Sequence, residues 1–341
     1  MTSKITAKKK PTQADVAKLA GVSQTTVSLV LNNLTDTSIP PQTIDRVWDA
    51  INQLGYVPNR AAQTLRTQKS YTIAAIIPDI TNPFYPAFSR GIQDVAEKHG
   101  YNLVLYNSDG NAAKEAECLI SVQQSHIDGI IGVFFNLRVR DLRPVLESNL
   151  PIVRFEPAQT QTGDLPLDSL YVDNAAAGKA VVRFLVERGH TYLAVITGDT
   201  GPGNARLRGF QQGLAEYGLR DDFVIESPNF TETGGYASVE KLLSFQPRPT
   251  AVFAANDLLA IGVMQAVQNA GLRVPGDMAI VGFDDIPTAR YITPTLTTVA
   301  QLQEQIGQRA AEMLLEHLSS DEPIPGRCIE MPFELKVRGS T

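Results

Sequence analysis

Long hydrophobic runs are missing from these 341 residues. No window approaches the roughly 18 uncharged apolar residues of a membrane-crossing helix, which excludes a protein anchored by one. The opening MTSKITAKKKPTQAD carries lysines with no apolar stretch behind them, so it does not read as a secretory signal. Cysteine is scarce. Cys118 and Cys328 stand far apart and outside any C-x-x-C, which excludes a disulfide framework. Both are expected as buried thiols in a reducing compartment, and the protein is expected in the cytoplasm. The four histidines (His99, His126, His190 and His317) lack metal-ligand spacing. They fall at helix ends, where surface positions or pairing with the helix dipole account for them. Neither G-x-x-x-x-G-K-[ST] nor G-x-S-x-G occurs, and Gly201-Pro202-Gly203 is followed by Arg206 where a dinucleotide loop needs its third glycine. Enzyme activity, a cofactor and a metal are therefore not expected.

What is present is ordinary globular composition, 43% hydrophobic and 19% charged, with length for two or three domains. The net charge of -6 is unevenly spread. Residues 1–70 hold nine basic and four acidic residues, a net +5, so the remainder carries -11. A basic head on an acidic body suits a head that meets a polyanion, although a solvated basic face explains charge alone equally well.

Thr12 to Ala20 is predicted as a helix, with Thr12 capping it and Asp15 three residues on. Val16 and Leu19 form its expected apolar face. Gly21 suits a sharp turn and Ser23 suits the next cap. A second helix is predicted from Gln24 to about Asn33, its buried stripe Val27, Val30, Leu31 and Leu34. Leu29 is surplus to that stripe and points almost opposite it. A third helix is predicted from about Gln42 to Leu54, burying Ile44, Val47, Trp48, Ile51 and Leu54. Helix, short turn, helix and supporting helix form the helix-turn-helix pattern, whose second helix enters the major groove. Generic three-helix bundles share the spacing, so it leaves both readings open. The linker YVPNRAAQTLRTQKS that follows is too polar and short for a stable independent helix.

From Tyr71 the pattern becomes βαβα, beginning with YTIAAIIPD and FYPAFSRGIQDVAEKHG, and it restarts near NAAAGKAVVRFLVERGH. Two such units predict two doubly wound parallel sheets in a bilobed body. Ligands in such sheets bind beyond the carboxyl ends of strands. Those ends carry Asp79, Glu156, Asn256-Asp257 and Asp284-Asp285. Asp257 and Asp285 also suit helix and turn caps, and capping is the expected role of Asp257.

ADVAKLAGVSQTTVSLVLNN, LGYVPNRAAQTL, PDITNPFY, ERGH, ARLRGF, ANDLLAIG, GLRVPGDMAIVGFDD and PTLTTV together resemble the LacI/GalR family of bacterial transcription regulators. The resemblance covers nearly the whole chain from Thr12. It is most specific in the head and hinge, since the body alone would also suit a periplasmic sugar-binding protein. It implies an all-α helix-turn-helix head on an α/β periplasmic-binding-protein-like body. The implied boundaries are a basic extension 1–11, a DNA-binding domain 12–57, a hinge helix and linker 58–70, and an effector and dimerisation body 71–341. Within the body the resemblance implies an N-subdomain of about 71–171 plus 301–327 and a C-subdomain of about 172–300 plus 328–341.

The implied function is a DNA-binding repressor whose affinity is set by a small effector. The implied partners are a pseudo-palindromic double-stranded operator, the effector and a second copy of the chain. A dimer rather than a tetramer is expected, because no heptad tail follows FELKVRGST. By resemblance, Gln24, Thr25, Ser28 and Leu29 read bases, while Thr12, Ser23, Thr26 and Asn32 position the helix on phosphates. Asn59, Ala62 and Leu65 fall in the hinge, where Leu65 is expected to wedge into the minor groove. Arg206, Asn256 and Asp284 align with effector-contacting residues, and Glu156 with an acidic position on the other lobe. Phe84 and Phe230 take the places of aromatics that meet a sugar ring, with Asp79 and Asn82 as further candidates. Carboxylates and an arginine fork suit a polyhydroxyl ligand, so a sugar is expected over a purine.

Overall fold

The computed structural model describes residues 11–31, 39–57, 69–156, 165, 167–198 and 201–341, and the chain divides into two compact units, 1–70 and 71–341. Asn32, Leu34, Asn59, Ala62, Leu65 and the Lys8–Lys10 run lie outside the described residues.

The head contains α1 (Gln13–Ala20), α2 (Gln24–Leu31) and α3 (Pro41–Leu54). Thr12 and Asp15 cap α1 reciprocally: the Thr12 amide donates to Asp15 Oδ2 at 2.8 Å and the Asp15 amide to Thr12 Oγ1 at 3.3 Å. Gly21, at φ +65°, ends α1 in the left-handed conformation. Ser23 Oγ then accepts the Thr26 amide at 3.0 Å and starts α2. Val16, Ala17, Ala20, Val27, Val30, Val47, Ala50 and Ile51 form the head's core. Leu19 and Trp48, expected inside, are 47% and 41% exposed. Ala17, Ala20 and Ala50 fill core positions on the same two helices, and Leu19 and Trp48 fall on the outer side.

The body holds two six-stranded sheets. The first contains β1 (Thr72–Ile77), β2 (Asn102–Asn107), β3 (Gly129–Gly132), β4 (Ile152–Glu156), β5 (Leu167–Tyr171) and β11 (Cys328–Glu330), in the order β11-β5-β4-β3-β1-β2. All its pairings are parallel. The second contains β6 (Leu193–Thr197), β7 (Val224–Glu226), β8 (Ala251–Ala254), β9 (Ala279–Asp284), β10 (Thr297–Ala300) and β12 (Glu334–Lys336), in the order β12-β10-β9-β8-β6-β7. Only β12, against β10, is antiparallel there.

Helices cover both faces of each sheet, as buried parallel strands require. On the first, α4 (Phe84–Lys98) and α11 (Gln303–Ser319) pack over Ile73, Ala75, Ile131 and Val153. On its other face, α5 (Ala112–Gln124) and α6 (Val139–Glu147) pack over Ala74, Ile76 and Ile130. On the second sheet, α7 (Asn174–Val186) and α8 (Gly203–Glu216) take one face. There α9 (Glu232–Ser244) and α10 (Asp257–Asn269) take the other. Three of these helix pairs meet through glycines: Gly91 with Gly307, Gly178 with Gly209, and Gly235 with Gly262. A Cβ on any of the six would fall on the partner helix's backbone.

The chain passes between the sheets three times, after β5, after β10 and after β11. Residues 328–330 therefore correct the expected boundary. They pair with Ser169–Tyr171 in the first sheet, and the second sheet resumes only at β12. Cys328, expected buried, is exposed because β11 is an edge strand. His317 lies in the last turn of α11, as the helix-end reading expects, but not at the surface. Its side chain is buried, with Nε2 3.1 Å from Asp168 Oδ2. The fully buried Asp168 also accepts from Arg327, at 2.7 Å from the amide and 2.6 Å from a guanidinium nitrogen. Burial pushes the Asp168 carboxyl up, but the hydrogen bonds from His317 and Arg327 outweigh it and hold the carboxyl below its usual value.

Candidate functional site

The loops beyond the carboxyl ends of the two sheets enclose a cavity of about 700 Å³. All eight effector residues expected from the sequence line it: Asp79, Asn82, Phe84, Glu156, Arg206, Phe230, Asn256 and Asp284. Asp79 lies two residues beyond the end of β1; its Oδ1 accepts the Thr81 amide at 2.8 Å, and Asn82 Oδ1 accepts the Phe84 amide at 3.1 Å. These bonds shape the turn that delivers Phe84 and Tyr85 at the start of α4. Phe84 stacks with Phe155 at a 6.0 Å centroid distance, giving the first lobe an aromatic wall. Glu156, at the end of β4, is ion-paired with Arg154 on the same strand face.

Arg206 is the main cation of the second lobe. It sits on α8, 3% exposed, its guanidinium stacked 3.6 Å from the Phe283 ring centroid. Nε donates to Asn174 Oδ1 at 2.7 Å and one terminal nitrogen donates to the Ala255 carbonyl. The other terminal nitrogen lies 3.6 Å from Asp284 Oδ1. A guanidinium has five N–H donors, so three remain after the two hydrogen bonds. Asp284 Oδ1 accepts from Gln301 Nε2 at 2.6 Å. Burial pushes the Asp284 carboxyl up to about 6, against the pull of Arg206 and Gln301. Its backbone is strained, with Asp284 at φ +117° and Asp285 at φ +59°. Non-glycine residues hold such conformations where the surroundings over-determine them, commonly at ligand sites. Here Gln303 donates to the Asp284 carbonyl, while Arg290 and Arg338 hold the Asp285 side chain.

The capping role expected of Asp257 falls to its neighbour, which also lines the cavity. Asn256, not Asp257, caps α10: its Oδ1 accepts the Leu259 amide at 2.8 Å and its Nδ2 donates to the Phe230 carbonyl at 3.0 Å. Asp257 is fully buried and accepts from the Ile286 amide at 2.8 Å and Thr298 Oγ1 at 2.5 Å, tying β10 to the turn after β9. Burial first, and Asp284 second, hold its carboxyl well above the ordinary range.

The sequence reading did not pick out Tyr85, Asp109, Phe135, Phe155, Asn174 or Gln301, which also line the cavity. Asp109 and Phe155 sit at strand ends and follow the rule already applied. Gln301 follows β10, a strand whose polar residues Thr297 and Thr298 hide it from an apolar pattern. In the head, Gln24 and Thr25 are exposed at the start of α2, while Thr26, Ser28 and Leu29 are half-buried. Leu31 packs against the head's core, whereas among the described residues Leu29 does not join that packing. The Thr12 hydroxyl donates to Asp15 Oδ2 at 2.7 Å, so a phosphate contact from it requires a change of partner.

Comparison with known proteins completes the assignment. Residues 12–59 match the family described as bacterial regulatory proteins, lacI family, and residues 182–341 match the periplasmic binding protein-like domain. Catabolite control protein A of Priestia megaterium is 35% identical over 332 residues, spanning 96% of this chain and 98% of that one. The chain belongs to the LacI family of bacterial regulatory proteins. This LacI-family chain is similar to the Lac repressor dimer bound to operator and the anti-inducer ONPF, at 25% identity and a TM-score of 0.85, over 97% of this chain and 99% of the other. It is also similar to the transcriptional regulator CelR in its cellobiose complex, at 30% identity and a TM-score of 0.70, over 97% and 100% of the two chains. It is a DNA-binding transcriptional regulator controlled by a small effector, with a helix-turn-helix head and a two-lobed body. No described helix is long and apolar enough to cross a membrane.

Proposed function

We propose that the effector is an unphosphorylated sugar bound between the two lobes, and that it controls a homodimer on a pseudo-palindromic operator. The charge and shape of the cavity wall carry this reading. Five carboxylates (Asp79, Asp109, Glu156, Glu232 and Asp284) face one basic side chain, Arg206, among the described residues. Arg154 and Lys114 pair with Glu156 and Asp109 from behind the wall, and the acidic excess that remains disfavours a phosphate while the carboxylates offer acceptors to hydroxyl donors. Phe84, Tyr85, Phe135, Phe155 and Phe230 add apolar surface for the C–H faces of a sugar ring. The likeness to a regulator solved with cellobiose agrees. Calorimetric titration with D-ribose, D-glucose, cellobiose, glucose 6-phosphate and hypoxanthine tests the proposal. Binding of a neutral sugar with none of the phosphate ester supports it; binding of hypoxanthine or the phosphate ester alone overturns it.

In the proposed mechanism the ligand bridges the lobes and changes their angle, which alters the spacing of the hinge segments in the dimer. The affinity for DNA then depends on occupancy of a distant cavity, a coupling free energy between two sites. Arg206, Asn256, Asp284, Glu156, Phe84, Phe230, Asp79 and Asn82 contact the effector in this reading. Gln24, Thr25, Ser28 and Leu29 read the major groove, while Thr12, Ser23, Thr26 and Asn32 meet phosphates; Asn59, Ala62 and Leu65 meet the minor groove. Leu29 has no donor for guanine and suits a thymine methyl. Leu29→Arg is expected to move the preference at one half-site position from T toward G, measured by competition among operator variants. An unchanged base profile would show that Leu29 reads nothing.

A further inference from the structure

Glu115 is a fully buried carboxylate on α5, away from the ligand contacts proposed above. It gathers four donors: the amides of Phe135, Asn136 and Leu137 at 2.8, 3.1 and 3.0 Å, and Asn136 Nδ2 at 3.2 Å. Asn136 Nδ2 also donates to the Gly110 carbonyl at 2.8 Å. A carboxylate accepting several backbone N–H groups is a strong, charge-assisted anchor. The anchored loop follows β3 in the first lobe, and its one large side chain turned to the cavity is Phe135.

The Phe135 ring is wedged edge to edge between two glycines. A Cβ on Gly110, in the first lobe, would lie 3.1 Å from Cδ2 of the ring. A Cβ on Gly201, in the second lobe, would lie 2.9 Å from both Cε1 and Cζ on the opposite edge. Both glycines have φ near +60°, at +61° and +56°, so a side chain at either strains the backbone and crowds the ring. Gly201 directly precedes Pro202 and α8, the helix that carries Arg206. The ring thus leans on the loop that positions the principal cation of the cavity.

We infer that Phe135 is a specificity-determining side chain that closes one wall of the cavity across both lobes. Rooted by Glu115 in one lobe and seated on the backbone of the other, it limits ligand length and slows ligand release. The inference rests on the cavity being the effector site, and its test separates the two. Spin labels at the exposed positions Glu147 and Glu240, in a Cys328→Ser background, report the distance between lobes without any ligand. The unsubstituted ring is expected to give one narrow distance distribution. Phe135→Ala and Gly201→Ala, which remove or displace the ring, are expected to add a longer component, and Phe135→Leu to restore most of the narrow one. Cellobiose and D-ribose are the probes for release, and loss of the aromatic contact is expected to speed release about ten-fold. Melting curves identify any variant that fails to fold, with Phe135→Leu as the milder substitute. Unchanged distributions in both variants overturn the inference. If neither sugar binds the unsubstituted protein, the sugar reading fails while the distance measurement still decides the role of Phe135.

Discussion

Arg206→Leu is expected to abolish measurable sugar binding and to destabilise the body. Leucine fills part of the space but leaves Asn174 Oδ1 and the Ala255 carbonyl without their donor. It also leaves the Asp284 carboxylate buried without its counter-charge at 3.6 Å. Breaking a buried pair by removing one partner costs about 3–5 kcal/mol. Two charge-assisted hydrogen bonds to ligand hydroxyls, at about 1.5–3 kcal/mol each, correspond to a loss of affinity of about a hundred-fold or more. Arg206→Lys is expected to rescue little, because one ammonium cannot reach Asn174, Ala255 and Asp284 together in a planar fork. Urea unfolding and calorimetric titration measure the two effects separately. Near-normal affinity in Arg206→Lys would show that only positive charge matters there.

The affinity of the cavity is expected to fall as pH drops through about 6. Asp284, pushed up to about 6 by burial, accepts ligand hydroxyls as a carboxylate and loses that capacity when protonated. Above about pH 7 the affinity is therefore flat, and below 6 it declines by up to about ten-fold per unit. The stability of the free protein runs the other way. The folded-state value of Asp284 lies above the usual 3.8, so its contribution is fully present below about pH 4 and is lost as pH rises through about 6. Asp257, raised by burial and by Asp284, acts in the same direction. Asp168, held low, contributes in the opposite sense, its stabilisation fading as pH falls below the ordinary aspartate value. Asp284→Asn is expected to flatten the affinity profile while lowering affinity about ten-fold or more, since a charged acceptor is lost. Titrations from pH 5 to 8 on both proteins check this, and an equally steep profile in Asp284→Asn would move the titration to another group.

Local chemistry made much of this molecule legible before its structure. The Thr12–Asp15 cap, Gly21 and Ser23 announce their turns through side-chain geometry that operates within three residues. The strands β1, β6, β8 and β9 announce themselves as β-branched or apolar runs buried on both faces. The strand β5 does not, because its Asp168 and Ser169 are polar and buried by partners at 317 and 327 that no local pattern reveals. The short β7, β11 and β12 carry too few residues for periodicity to show. In the cavity, strand-end polar residues could be read from topology alone. Glu115 and Phe135 could not, since their roles depend on a loop twenty residues away and a glycine in the opposite lobe. Leu29, the apolar residue that fits no buried stripe, lies outside the packing of the head's core among the described residues.

The central claim is that occupancy of the cavity sets affinity for DNA. Fluorescence-anisotropy titration of the full chain against a pseudo-palindromic site from the gene's own neighbourhood, at moderate salt, with and without a sugar shown to bind, tests it directly. The account predicts specific binding whose affinity changes about five-fold or more with sugar, the lower end of ordinary allosteric coupling. It further predicts that Arg206→Leu still binds the site but no longer responds. Absence of specific binding, or identical curves with and without the bound sugar, would contradict the account.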